Sequence, residues 1–389
     1  MDVVALVMVA RGRRRIKVWG EIIMSVKKIA GAALAVSLVW SAAASAADLV
    51  DPAGLAQCFL KATDTTPMVQ HKAKPGPYKI AFSNSYFGNN WRTEMLNVAR
   101  AYVAQPEVKK YISKFEIQNS GNDVAQEVAQ IRQMILSGYD AIVLNGASPS
   151  GLNSVINEAV RHGIVVVAFD NTVTTDQAVN VNESQYEMGR LWAEFLSKET
   201  SGKGKILMVH GLAGTSVDND QADGAMSVFK KFPDLTVVNV FGNWDVGLNQ
   251  KVTADALATN NDIAGVWGTE GATGALQAFL QVNAKLVPMT SEADNGFMIQ
   301  AVEHKVPTLV IGQSPALVAP SIRAAIAILS GQPIPRNANI PLSPVLTSDM
   351  KADVDYFPKQ PNSFVTDINI PQCAVSIPVD AVVNAVDVK

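Results

Sequence analysis

The chain has 389 residues, 48% hydrophobic and 17% charged, with 32 Lys/Arg against 35 Asp/Glu. That is length for two or three domains at about 150 residues each, with ample apolar residues for packed cores and no disordered composition. A net charge of −3 argues against a protein held on nucleic acid by phosphate contacts, and two cysteines exclude a disulfide-dense scaffold or a four-thiolate metal site.

Met24-Ser25-Val26-Lys27-Lys28 precedes a short apolar run over 29–40 and then the small residues Ala44-Ser45-Ala46. A basic start, an apolar middle and an Ala-x-Ala site predict a signal peptide over 24–47, cleaved near Ala46 or Ala47. The run is short for a membrane span. Residues 1–23 fit poorly before such a leader and are expected to be an upstream extension, with translation starting at Met24. Without the leader's seven basic and two acidic residues the chain keeps 25 and 33, a net charge of −8. An acidic, exported, periplasmic protein is expected, soluble because no later apolar run approaches ~18 residues.

Residues 48–77 lack periodicity and read as an N-terminal extension. From Tyr78 short β-branched runs alternate with amphipathic stretches. Strands are predicted at 78–82, 114–118, 141–144 and 164–169, with helices at 91–103, 124–136 and 152–160. The run over 164–169 is almost wholly apolar, as for a strand covered on both faces. The rhythm restarts with helices at 188–196, 221–231, 250–258, 273–281 and 295–303, and strands at 206–209, 235–240, 263–267, 286–289 and 308–311. A last helix is predicted over 315–329. Alternation of this kind predicts α/β architecture, two doubly wound parallel-sheet lobes. Residues 347–389 read as a C-terminal extension returning over the lobes. Each extension holds one cysteine, and in an oxidising compartment Cys58 and Cys373 are expected to bridge.

Catalytic signatures are missing. The four histidines are scattered, Gly146-Ala147-Ser148-Pro149-Ser150-Gly151 misses the nucleophile-elbow spacing, and there is no Walker A. Gly268-Thr269-Glu270-Gly271-Ala272-Thr273-Gly274 imitates a dinucleotide loop, but its spacing is wrong and Glu270 would put a carboxylate where a pyrophosphate sits. No metal, no cofactor and no enzyme activity are expected.

The informative residues lie where strands end. In open α/β sheets ligands bind at the carboxyl ends of the strands. Those ends carry amides, carboxylates and aromatics together: Ser85 to Arg92, Asp170-Asn171, Asn243-Trp244-Asp245, Thr269-Glu270, Ser291-Glu292 and Gln313-Ser314. Such groups satisfy hydroxyls while indole faces cover the apolar side of a ring, the makings of a small-molecule pocket. A lone Asn or Asp there would be a turn or a cap; two tryptophans beside carboxamides favour binding.

The stretches Ile80-Ala81-Phe82, Asn89-Asn90-Trp91, Gly138-Tyr139-Asp140-Ala141-Ile142, 163–170, 211–216 and Gly274-Ala275-Leu276 resemble the ribose-type (type I) periplasmic sugar-binding proteins, the solute-binding components of ABC importers. The resemblance covers roughly 78–346. It implies two lobes joined by a three-crossing hinge, at Val181, Ser314 and Leu346, with lobe 1 over 78–181 plus 314–346, lobe 2 over 182–313, and the solute between them. It also implies ligand contacts. Ser85, Asn89 and Trp91 match first-strand contacts; Arg92 stands where a second aromatic is usual. Asp170 matches a hydroxyl-binding aspartate whose usual Arg neighbour is Asn171 here, and Gln221 replaces a second Arg. Trp244 matches the aromatic of lobe 2. Thr269 or Glu270 falls near an Asn or Asp position, Glu292 near an aspartate, and Gln313 on a hinge-proximal glutamine. These departures leave ribose itself open and suit a neutral sugar, cyclitol or polyol.

The expected function is therefore a monomeric solute receptor that delivers a sugar or polyol to an inner-membrane ABC permease, with no nucleic-acid partner. Two alternatives stay open: a sensor passing a bound signal to a membrane receptor, and a receptor for a cationic amine, since carboxylates and indole rings together can box a cation. A repressor of the same lobes would need a DNA-binding head where this chain has an export signal.

Overall fold

The computed structural model describes residues 48–86, 90–213 and 216–385. The expected upstream extension and signal peptide, and the candidate contact Asn89, lie outside them. Two sheets organise the chain. A seven-stranded sheet runs, edge to edge, Leu60–Lys61, Asn337–Asn339, Val179–Asn182, Val165–Phe169, Ala141–Asn145, Tyr78–Asn84, Ile112–Asn119. A six-stranded sheet runs Val345–Leu346, Thr308–Val310, Met289–Ser291, Ile263–Gly268, Gly204–His210, Leu235–Phe241. All pairs are parallel except those made by the edge strands Leu60–Lys61 and Val345–Leu346.

The two sheets repeat one winding rule. Tyr78–Asn84 pairs on one side with the next strand in sequence and on the other with Ala141–Asn145. Gly204–His210 likewise lies between Leu235–Phe241 and Ile263–Gly268. The strand order reverses at these two places, and that is where crevices open at the carboxyl ends of a doubly wound sheet.

The inner strands of both sheets are buried on both faces, which explains their near-continuous apolar runs. In the first, Ile80, Phe82, Val143, Val167 and Phe169 enter one core while Ala81, Ile142, Leu144, Val166 and Ala168 enter the opposite one. In the second, Leu207, Val209 and Val266 face one core and Ile206, Met208 and Trp267 the other. Helices begin where side chains cap them: Asp123 accepts the Gln126 N–H at 3.0 Å, Ser184 that of Glu187 at 3.2 Å and Asp245 that of Leu248 at 2.7 Å.

Elements differ from the sequence reading in three places. The predicted strand at 286–289 forms instead at Met289–Ser291, because Pro288 has no N–H to give a ladder. Val179–Asn182, only four residues long, joins the first sheet. The N-terminal extension also pairs, Leu60–Lys61 with Asn337–Asn339, and Val345–Leu346 adds an antiparallel edge to Thr308–Val310.

The chain passes between the sheets after Asn182, after Val310 and after Asn339; the third passage precedes the expected crossing near Leu346, because Val345–Leu346 already pairs in the six-stranded sheet. Beyond these three passages the tail makes a fourth. Asn295 holds it on the six-stranded side: its Nδ2 donates to the carbonyls of Phe357 (3.0 Å), Gln360 (3.2 Å) and Pro361 (3.0 Å), and its Oδ1 accepts the Phe357 N–H at 2.8 Å. Residues Ile368 to Val382 then pack into the core of the seven-stranded side. There Cys58 and Cys373 form a disulfide across 315 residues. The buried Arg323 joins the same two ends, donating to the carbonyls of Leu49 at 2.8 Å and Cys373 at 2.9 Å.

Candidate ligand-binding site

A cavity of about 650 Å³ lies at the carboxyl ends of both sheets. Eight of the sequence-predicted contacts line it: Trp91, Arg92, Asp170, Asn171, Trp244, Glu270, Glu292 and Gln313. Ser85, Gln221 and Thr269 do not; they stand behind the wall. Ser85 is buried and donates to Asn145 Oδ1 at 3.3 Å. Gln221 is buried too, donating to Gln185 Oε1 at 2.8 Å and Glu292 Oε1 at 3.4 Å. Thr269 is 2% exposed. Ser85 and Gln221 brace the lining rather than form it.

The wall from the seven-stranded side is a connected polar network. Asp170 accepts from Asn145 Nδ2 at 3.0 Å, from Gln313 Nε2 and from Arg92 at 3.4 Å. Arg92 also reaches Asn84 Oδ1 at 3.5 Å. Its guanidinium lies 5.1 Å from the centre of the Trp91 ring, while Trp91 Nε1 donates to the Gln313 carbonyl at 2.8 Å. Burial weakens the proton affinity of Arg92, and Asp170 and then Glu127 oppose that.

The wall from the six-stranded side is fixed by its loops. Trp244 has left-handed backbone at φ 60°, as does Asp170 at φ 55°; such residues cost of order 1–3 kcal/mol and cluster at functional sites. A Cβ on Gly211 would lie 2.1 Å from Trp244 Cε2 and Nε1, so only glycine lets the indole rest against that turn. Glu270 is held through its backbone, its carbonyl accepting from Asn249 Nδ2 at 3.1 Å. Next to it the Gly271 N–H donates to Asp294 Oδ2 at 2.9 Å. Burial, with Asp294 and Asp170 nearby, pushes the Glu270 carboxyl up to about 8. Burial and then Glu270 push Glu292 well above the usual range, with the Gln221 bond opposing.

The cavity also takes Gln185, Asp220, Val217, Asn182 and the loops 146–149 and 172–174, which the sequence reading left out. The strand-end rule applied to Ala141–Asn145 would have reached Gly146. Gln185 opens the helix Gln185–Glu199 and Asp220 lies in the helix Ser216–Phe229, where composition carries no distinguishing signal.

Residues 80–333 match the family model of the periplasmic binding protein domain. The chain belongs to the periplasmic binding protein family. Members of this family are solute receptors, not enzymes. Among relatives of this periplasmic binding protein, the ribose import binding protein of Haemophilus influenzae is 25% identical over 250 residues, covering 61% of this chain and 82% of that protein. The xylitol-binding protein of Mycolicibacterium smegmatis is 26% identical over 185 residues, 44% of this chain and 50% of that one. A solved ABC transporter solute binding protein from Thermobispora bispora superposes with a TM-score of 0.60 at 25% identity, covering 68% and 84% of the two chains. Another from Actinobacillus succinogenes, with bound D-allose, gives 0.61 at 22% identity, covering 70% and 98%. The last likeness is one of fold.

Proposed function

We propose that this periplasmic binding protein takes a sugar or related polyol into the cleft between its sheets and delivers it to an ABC-type importer. One observation carries the reading: Asp170, Arg92, Asn145 and Gln313 form one hydrogen-bonded network beside Trp91, facing Trp244 across a cavity of about 650 Å³. Fixed donors and acceptors suit several hydroxyls at once, and indole faces cover the apolar side of a ring. The relatives named for ribose and xylitol agree with this chemistry. The lobes built on the seven-stranded and the six-stranded sheet would close over the solute, ligand binding shifting the balance of open and closed forms. The carrier acts as an exported monomer in the periplasm, released from its leader near Ala46 or Ala47.

The test is a thermal-shift panel of pentoses, hexoses, cyclitols and polyols on the purified protein. Binding to the native state raises the melting temperature by mass action. A shift with one sugar or polyol class is expected; a panel without any shift overturns the reading. N-terminal sequencing of the exported protein checks the leader, and a start upstream of Ala46 would refute it.

A further inference from the structure

The ionisable groups of the cleft do not balance. Among the described residues four carboxyl groups line it, those of Asp170, Asp220, Glu270 and Glu292, against one cation, Arg92. Arg92 is already ion-paired with Asp170. Glu292 is 7% exposed, and its hydrogen bond comes from a neutral amide, Gln221, at 3.4 Å. Behind it Asp294 adds another carboxylate, its bond taken from a backbone N–H. Carboxylates removed from water are costly unless paired with a cation or protonated. A second observation is independent of charge: Glu270 and Glu292 share their cavity of about 650 Å³ with the indole of Trp244.

Resting on the sugar reading, we propose that the solute carries a protonated nitrogen as well as hydroxyls: an amino sugar or amino polyol. Its ammonium sits against Glu270 and Glu292, while its hydroxyls meet the Asp170, Arg92 and Gln313 side of the cleft. Trp244 adds a ring face, to which a cation is attracted. Acidic sugars are excluded by the same carboxylates.

Matched ligands separate this from the broader reading. Isothermal titration of the purified full-length chain's exported form would use D-glucose, D-glucosamine, N-acetyl-D-glucosamine and D-glucuronate; D-galactose and D-galactosamine; and D-glucitol with its 1-amino-1-deoxy derivative. The expected result is that amines bind at least ten-fold tighter than their hydroxyl parents, that acetylation abolishes the gain, and that glucuronate does not bind. Glu270→Gln and Glu292→Gln should each narrow the ratio of amine to parent affinity. Hydroxyl parents binding as tightly as the amines would overturn the proposal and leave the sugar receptor standing. Binding by none of these or of the broader sugar and polyol panel would overturn both. A ratio unmoved by both glutamine variants would also refute it, and retained thermal unfolding of the variants guards against misfolding.

Discussion

Both carboxylate oxygens of Glu94 lie 3.0 Å from the backbone N–H of Val365. Glu94 lies on the helix Asn90–Ala104, which also carries the cleft residues Trp91 and Arg92, and Val365 belongs to the returning tail, so this contact ties down the fourth passage between the sheets. It stands in an acidic neighbourhood. Ser314 N–H donates to Glu183 at 3.0 Å, and Ser314 Oγ donates to the Asp367 carbonyl. Burial pushes Glu94 up to about 8 and Asp367 up to about 7. It pushes Asp294 up to about 6 and Glu183 well above its ordinary value.

Stability of the unliganded protein should therefore fall as pH rises from about 5 to about 8. In the unfolded chain a glutamate titrates near 4.5, while Glu94 in the fold keeps its proton to about 8. Between these values the folded state binds more protons than the unfolded one. The stability this contributes is full below the lower value and is lost as pH climbs through the upper. Glu116, held down to about 2 by hydrogen bonds from Lys114 and then Tyr139, acts in the other direction but only below about pH 4. Melting temperatures at pH 5, 6, 7 and 8 check the slope. Glu94→Gln, which keeps an acceptor for Val365, should flatten it; an unchanged slope would show that Glu94 is not a source.

The disulfide should matter more than its place near the chain ends suggests. Cys58–Cys373 closes a loop of 315 residues, and in the chain-entropy account long loops gain most. Cys58→Ser combined with Cys373→Ser is expected to lower the unfolding free energy by about 2–5 kcal/mol. Part should survive, because Arg323 still joins both ends through the carbonyls of Leu49 and Cys373. Urea unfolding of the double variant measures this, and a midpoint equal to the parent's would contradict it.

The sheets were legible because their strands are covered on both faces, so runs such as Val165–Phe169 are apolar throughout. The winding followed from strand–helix alternation. The tail was not legible: it is held by backbone carbonyls gathered on Asn295 and by edge strands two or three residues long, which leave no period. In the site, residues at strand ends could be read, since topology alone brings those ends together. Gln221 and Ser85 lie in the same stretches as the lining residues but turn into supporting bonds with Gln185 and Asn145. Sequence position cannot separate a residue that touches the cavity from one that braces it.

Asp170→Ala should cost both affinity and stability. The carboxylate is ion-paired with the buried Arg92, and removing one member of a buried pair costs about 3–5 kcal/mol. Arg92→Leu combined with Asp170→Ala should recover part of the stability while binding stays lost. A thermal melt and a titration of each variant test the two effects separately. If the double variant were no more stable than Asp170→Ala, the pair would not be the origin of the loss.

The second-lobe tryptophan offers a test that spares the core. Trp244 is half-buried and belongs to no core cluster, so Trp244→Ala should weaken ligand binding by about 1 kcal/mol or more, the scale of one aromatic contact, with little change in melting. Gly211→Ala should reproduce much of that loss from outside the cavity. The added Cβ would meet the indole at 2.1 Å, and the ring must swing from the cleft to make room. If the indole contributes through its placement against that turn, the two substitutions are not additive: with Trp244 already truncated, Gly211→Ala has nothing further to displace. Titration of the single and double variants measures the coupling, and fully additive losses would show that Gly211 does not act through Trp244.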